Sequence, residues 1–293
     1  MSGYSRRDFL KTGIAAGTLA SVGTLPLEAA RPTATDMVTL GKSNVRVTRL
    51  AFGTGSNNGH VQAALGQQQF TRLVHYAYDK GIRFFETAES YMTPAMLGEA
   101  LKGIPRDSYV LMNKVTTDAG VDPHQRFDEM RRISKTEYFD IMLLHWQHTG
   151  DWIAETGRWQ DGILEAQAKK TILSRGASVH GLPALRQMPG NKWLEVAMIR
   201  MNHNGTRMDG PVPDDGNLGH VDEVVAHVKQ VKKDGMGVVS MKLCGDGTFT
   251  RHEDRAAAMK FAFRNAGVDC VTVGFKSPSE VDEAIDNLNN ALA

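Results

Sequence analysis

The chain has 293 residues, 41% of them hydrophobic and 23% charged, the proportions of an ordinary globular protein with core enough for one α/β barrel or two smaller domains. Its 34 basic and 33 acidic side chains leave a net charge of +1, which excludes the single-sign field that draws nucleic acid or an anionic membrane and leaves a small molecule as the expected partner. Its two cysteines, Cys244 and Cys270, make no disulfide framework and no C-x-x-C pair, and their placement at opposite ends of neighbouring strands predicts free thiols.

In chain order, Ser5-Arg6-Arg7-Asp8-Phe9-Leu10-Lys11 is a twin-arginine pattern, followed by a Gly/Ala-rich stretch from Thr12 to Leu25 and small residues at Ala29-Ala30. Residues 1–30 therefore read as a twin-arginine signal peptide, with the translocase as a partner during export and a periplasmic or otherwise exported destination. The apolar stretch is too short and too weakly apolar for a stable membrane span.

Residues 37–293 read as a single domain. Met37–Leu40 and Val45–Val47 alternate around Gly41-Lys42-Ser43-Asn44, the pattern of a β-hairpin. Short apolar runs then follow at Thr48–Phe52, Ile82–Glu86, Tyr109–Lys114, Ile141–His145, Gly176–His180, Leu194–Met201, Val238–Lys242 and Cys270–Gly274. Between and after them, Phe70–Asp79, Pro123–Glu137, Ile163–Lys170, Val221–Lys233, Glu253–Asn265 and Ser279–Leu292 carry apolar residues at helical spacing. Gly81, Gly235 and Gly267 stand just past helix ends and just before strands. Eight mostly apolar strands alternating with helices predict a parallel (β/α)8 TIM barrel with an N-terminal β-hairpin. The alternative, an open doubly wound sheet, lacks its dinucleotide fingerprint, since only Phe52-Gly53-Thr54-Gly55-Ser56 follows the first strand.

In such a barrel, chemistry sits at the C-terminal ends of the strands and in the loops beyond. Those positions hold Glu86 and Tyr91, Lys114, His145 with His148, Ser178 and His180, Arg200 with Asn202 and His203, and Lys242. Singly, Glu86 and Lys114 read as a structural ion pair, Tyr91 as a packing phenol and His145 as a core histidine. Jointly, at matching strand ends, they read as one site.

The chain resembles the aldo-keto reductase superfamily over most of residues 37–293. The resemblance rests on Leu40-Gly41-Lys42-Ser43 leading into Leu50-Ala51-Phe52-Gly53-Thr54, on Glu86-Thr87-Ala88-x-x-Tyr91 with Leu97-Gly98-Glu99-Ala100-Leu101, on Lys114, on Leu143-Leu144-His145, and on the late loop Gly274-Phe275-Lys276-Ser277-Pro278-Ser279-Glu280. It implies a nicotinamide-dependent interconversion of carbonyl and alcohol, with Tyr91 as the acid, Lys114 supplying positive charge beside the phenol, and His145 orienting the carbonyl oxygen as a neutral imidazole. Glu86 pairs with the lysine where the family usually has aspartate. The resemblance assigns the cofactor to Ser178, Gly274, Lys276, Ser277 and Glu280. The family's remaining nicotinamide contacts fall on Val179 and Met198 here. Members that prefer NADP place an arginine near position 280, so Glu280 tilts the expectation to NAD, while Lys276 and Ser277 favour NADP. An exported enzyme of this kind would hold its nucleotide tightly, and a chain that stops soon after its last helix predicts an open pocket suited to a sugar-like substrate.

Two other readings compete. His145, His148, His180 and His203 with Glu86 offer imidazole and carboxylate ligands for metal-assisted chemistry at the same mouth. Alternatively, Val179, Met198 and Glu86 mark a non-catalytic barrel that has lost its cofactor contacts.

Overall fold

The computed structural model describes residues 31–214 and 216–293, so the expected signal peptide lies outside the described residues. The alternating segment closes as a hairpin, β1 (Met37–Thr39) antiparallel to β2 (Arg46–Thr48), with Val38 opposite Val47. Eight further strands follow: β3 (Leu50–Gly53), β4 (Phe84–Glu86), β5 (Val110–Val115), β6 (Phe139–Gln147), β7 (Ile172–Val179), β8 (Val196–Arg200), β9 (Gly237–Met241) and β10 (Cys270–Gly274). They pair in parallel and in sequence order, and β10 returns to β3, closing the barrel.

The helices are α1 (His60–Ala63), α2 (Gly66–Asp79), α3 (Pro94–Ala100), α4 (Pro123–Ile133), α5 (Trp152–Glu155), α6 (Gly157–Ala168), α7 (Leu182–Leu185), α8 (Val221–Lys233), α9 (His252–Phe261) and α10 (Pro278–Leu292). Among the described residues none is long and apolar enough to cross a membrane. Gly81, Gly235 and Gly267 take the left-handed conformation expected after helices, with φ of 99°, 86° and 74°. Two predicted helices end early: α4 stops at Ile133, with Lys135 left-handed at φ 51°, and α9 gives way to a π-helical turn over Ala262–Ala266.

Two-residue alternation sorts every strand. Val110 and Met112, Ile141 and Leu143, Val196 and Met198 pack with Ala51, Phe84, Val239 and Met241 inside the barrel, whereas Leu111, Met142, Leu144 and Ile199 join the larger core under the helices. Leu40 and Val47 belong to the inner cluster, and Gly41 bridges Met236 just before β9, so the hairpin covers the N-terminal end. Continuing the inward rows towards the C-terminal end replaces apolar residues by Glu86, Lys114, Ser178, Arg200 and Thr272, all buried. The polar groups are thus a final layer laid on an apolar plug.

Candidate active site

Glu86 pairs in register with Met112 across β4 and β5, which sets Lys114 one inward step further along. Lys114 Nζ donates to Glu86 Oε1 and, at 2.8 Å, to the Thr87 carbonyl. The ammonium is 0% and the carboxylate 4% exposed. Thr272 Oγ1 donates to the second carboxylate oxygen at 3.1 Å. Room for a glutamate comes from Gly53, where a Cβ would stand 2.6 Å from Thr272 Oγ1 and 3.1 Å from Glu86 Oε2. Gly55 makes the same allowance for Tyr91, whose ring would lie 2.4 Å from a Cβ there. The sequence pattern showed these glycines only as a missing dinucleotide fingerprint; their role is clearance for two functional side chains.

The Tyr91 ring lies over the Lys114 ammonium, 4.7 Å from Nζ to the centroid, and meets the His145 ring edge-on at 5.6 Å. Its hydroxyl makes no hydrogen bond to the described residues and borders the cavity described below. Burial, followed by the Glu86 and Asp246 carboxylates, holds the phenol well above its ordinary pKa of 10.0. The positive charge that Lys114 brings beside the phenol is outweighed, because burial prevails and Glu86 already pairs with the ammonium. Burial also pulls Lys114 below its ordinary value against the support of Glu86. His145 is held well below 6.5 by burial and then by Lys114, His180 and Lys242, which favours the neutral imidazole. Ser90 Oγ lies 3.3 Å from its Nδ1.

A cavity of about 270 Å³ opens beside Tyr91 and Glu86, with Met198 and Met241 as apolar lining and Lys242, Cys244, Gly274, Lys276 and Glu280 along its wall. A second, of about 390 Å³, shares Cys244, Gly274, Lys276 and Glu280 and adds Phe249, Arg255 and Met259. The two share this wall and lie side by side as a trough between the barrel mouth and the N-terminus of α10. Glu280 accepts from the Lys276 amide at 2.8 Å and faces Lys276 Nζ at 3.7 Å. Ser277 caps α10 by accepting from the Glu280 amide and lines neither cavity. Ser178 is fully buried with Oγ 4.0 Å from Met241 Sδ, behind the lining rather than in it. Arg255, bound through both ends of its guanidinium to Glu283 at 2.6 and 2.9 Å, was not singled out from the sequence because helical spacing alone places it on a solvated face.

The remaining histidines do not assemble as a ligand set. His148 stacks on Trp146 at 4.4 Å, His203 on Phe249 at 5.3 Å, and His180 lies 3.6 Å from Asp214. Among the described residues no group of three or more His, Cys, Asp or Glu is placed to hold a metal ion, so His145, His148, His180 and His203 with Glu86 do not form one ligand set. Burial lowers His180 to about 4 despite Asp214. Asp214 also accepts from the buried Arg200, which is further bound to Asp209 at 2.7 Å, and from Trp146 Nε1 at 3.3 Å. A third cavity, of about 210 Å³, flanks His145 and is lined by Thr116, Thr117, Asp118, Gln147, Thr149 and Glu155 among others, with no lysine or arginine.

Residues 49–260 match the aldo/keto reductase family. Morphine 6-dehydrogenase of Pseudomonas putida is 31% identical over 115 residues, 36% of this chain and 38% of that protein. An aldo-keto reductase of Mycolicibacterium smegmatis is 27% identical over 160 residues, 46% of this chain and 53% of that protein. The chain thus spans about half the length or less of these curated relatives. An aldo-keto reductase of Klebsiella pneumoniae in complex with NADPH superposes with a TM-score of 0.66 at 16% identity over 87% of this chain and 90% of that one, a likeness of fold.

Proposed function

The chain belongs to the aldo/keto reductase family, and from that membership we propose that it interconverts a carbonyl compound and its alcohol with a nicotinamide cofactor, Tyr91 giving and taking the proton. The observation that carries this reading is the free Tyr91 hydroxyl at the cavity edge, over the Glu86–Lys114 pair and against a neutral His145.

The trough suits an elongated dinucleotide: apolar methionine lining by the barrel mouth, lysines midway, and an aromatic ring with a guanidinium at the outer end. Met198 and Met241 would support the nicotinamide, Lys242, Gly274 and Lys276 the phosphates, and Phe249 and Arg255 the adenosine end. When bound, the nicotinamide supplies or accepts the hydride. The protein's own part is acid–base and positional. A phenol kept protonated across the physiological range is a stored proton for an alkoxide, which is the stronger base. Neutral His145 orients the carbonyl oxygen, and Lys114, held by Glu86 and Thr87, limits the cost of negative charge on Tyr91 oxygen. Glu280 at the trough wall disfavours an additional 2′-phosphate and supports NAD, which the protein would retain tightly.

The cavity beside His145 supports a neutral, hydroxylated substrate of sugar type, because hydroxyls, an amide and carboxylates line it without a cation to receive an anionic group. The twin-arginine pattern at Arg6-Arg7 supports export. The purified full chain should oxidise NADH, more efficiently than NADPH, in the presence of small hydroxyaldehydes or aldoses. Absence of turnover with both nucleotides, together with no quench of tryptophan fluorescence by either, would remove the reading. Replacing Arg6-Arg7 by two lysines should keep the protein in the cytoplasm of a host with a twin-arginine pathway, and continued export of that variant would count against the signal.

A further inference from the structure

Glu89 stands two residues before Tyr91 and reaches the end of the strand that carries Lys114. Its amide donates to the Lys114 carbonyl at 3.0 Å, and its carboxylate accepts from the Thr116 amide at 2.5 Å. The same residue therefore clasps Val115, the residue that follows Lys114, through the Lys114 carbonyl on one side and the Thr116 amide on the other. The segment is short and stiff: the Tyr91 amide turns back to the Ala88 carbonyl at 3.0 Å. The loop that carries the ring is thus tied directly to the strand end that carries the ammonium beneath it.

The arrangement buries a charge to make this tie. The Glu89 side chain is 9% exposed, and its second oxygen, 3.4 Å from Arg126 Nη1 of α4, makes no hydrogen bond. It borders a cavity of about 70 Å³ shared with Asn113, Arg126, Glu129 and Ser134. Burying a carboxylate is unfavourable for folding even with the Arg126 guanidinium beside its second oxygen, so packing alone does not account for glutamate here. What the carboxylate does provide is reach: an acceptor long enough to cross from the Tyr91 loop to the Thr116 amide, held in line by Arg126. Glu89 lines neither the cavity beside Tyr91 nor the one that flanks His145, so the residue acts through Lys114 and Tyr91 and not on a substrate.

We propose that Glu89 is a positioning residue that fixes the Lys114 ammonium under the Tyr91 ring by holding the strand end just after it, through the Lys114 carbonyl and the Thr116 amide. Its kinetic consequence rests on the reading of Tyr91 as proton donor, whereas its geometric consequence does not. Without that hold the strand end relaxes, the ring and ammonium lose register, and the proton is transferred from a misplaced hydroxyl.

The test compares the wild-type full chain with Glu89→Met, which fills the space without an acceptor, and Glu89→Gln, whose amide oxygen restores it. Nucleotide affinity, kcat and KM are measured, together with the nuclear magnetic resonance signal of the Lys114 ε-methylene in lysine-labelled protein. That signal is identified by its loss in Lys114→Met and is displaced by the ring current of Tyr91. Glu89→Met should lower kcat roughly 10- to 100-fold with nucleotide affinity unchanged within about twofold, and should move the Lys114 signal towards its position in Tyr91→Leu. Glu89→Gln should return both to near wild type. If Glu89→Met does not fold, Glu89→Thr, too short to span to the Thr116 amide, is read in its place. A folded non-acceptor variant with an undisplaced Lys114 signal overturns the proposal, as does a glutamine variant no better than the methionine one. If the wild type reduces no carbonyl, the proposed function fails and the resonance arm alone still decides the role of Glu89.

Discussion

The Lys114 ammonium lies beneath the ring of Tyr91, 4.7 Å from its centroid, while its hydrogen bonds go to Glu86 and to the Thr87 carbonyl. The pair is a cation under an aromatic face inside a low-dielectric layer, and the charge that matters to Tyr91 is the small residual of a lysine already matched by a carboxylate.

Breaking this pair from either side leaves a buried uncompensated charge. Lys114→Met or Glu86→Leu alone should cost about 3 to 5 kcal/mol of stability, whereas the double substitution should recover most of it while remaining inactive. Denaturant midpoints of the four proteins form the cycle, and strict additivity of the two losses would show that the pair is not coupled. Glu86→Asp should fold and retain partial activity, since the shorter acid falls back from Thr272 Oγ1, the partner of its outer oxygen.

Acid should weaken the fold through its buried histidines. His180 is lowered from 6.5 to about 4 by burial, and His145 is depressed in the same direction. Between those two values the unfolded chain takes up a proton that the folded His180 refuses, so stability is fully present above pH 6.5 and falls as pH drops towards 4, by on the order of 3 kcal/mol for His180. Asp214, held far below its ordinary 3.8, adds its loss only at still lower pH. Thermal melting across this range should show the slope in wild type and a clearly shallower one in His180→Asn; equal slopes would contradict the assignment.

Native thiols should be unreactive. Burial raises Cys244 to about 11, although it lines the trough, and raises Cys270 further inside the barrel. At neutral pH the thiolate fraction of Cys244 is on the order of one in ten thousand. A disulfide exchange reagent should therefore titrate neither thiol quickly in the folded protein and both after unfolding. Rapid labelling of one thiol in the native state would mean that the Cys244 loop opens.

The fold was legible because its signals are local and repeated. Apolar strands, helical spacing and a glycine after each of three helices fixed the barrel, and β10 and α8 match their predicted ranges. Glu86, Tyr91, Lys114 and His145 were legible because strand ends in a barrel converge, so sequence position translates into place. What stayed hidden depends on contacts between distant segments. Gly53 and Gly55 are clearances whose purpose appears only when Thr272 and Tyr91 are set against them. Arg255 enters the trough wall through its pairing with Glu283 on another helix. The acidity of Tyr91 is hidden in the sequence, which shows that a lysine is near but not how deeply the phenol is buried or which group pairs with that lysine. Ser178 was sound as a strand-end residue, yet Met241 stands between it and the cavity.

The central claim is that Tyr91 supplies the proton for carbonyl reduction, and Tyr91→Phe tests it most directly because the phenylalanine keeps the ring over Lys114 and removes only the hydroxyl. Steady-state reduction of a hydroxyaldehyde is compared with nucleotide binding in the same preparation. The account predicts a fall in kcat of about 100- to 10,000-fold with nucleotide affinity unchanged. Turnover within about threefold of wild type would contradict it, since a general acid whose removal costs so little is not the proton donor.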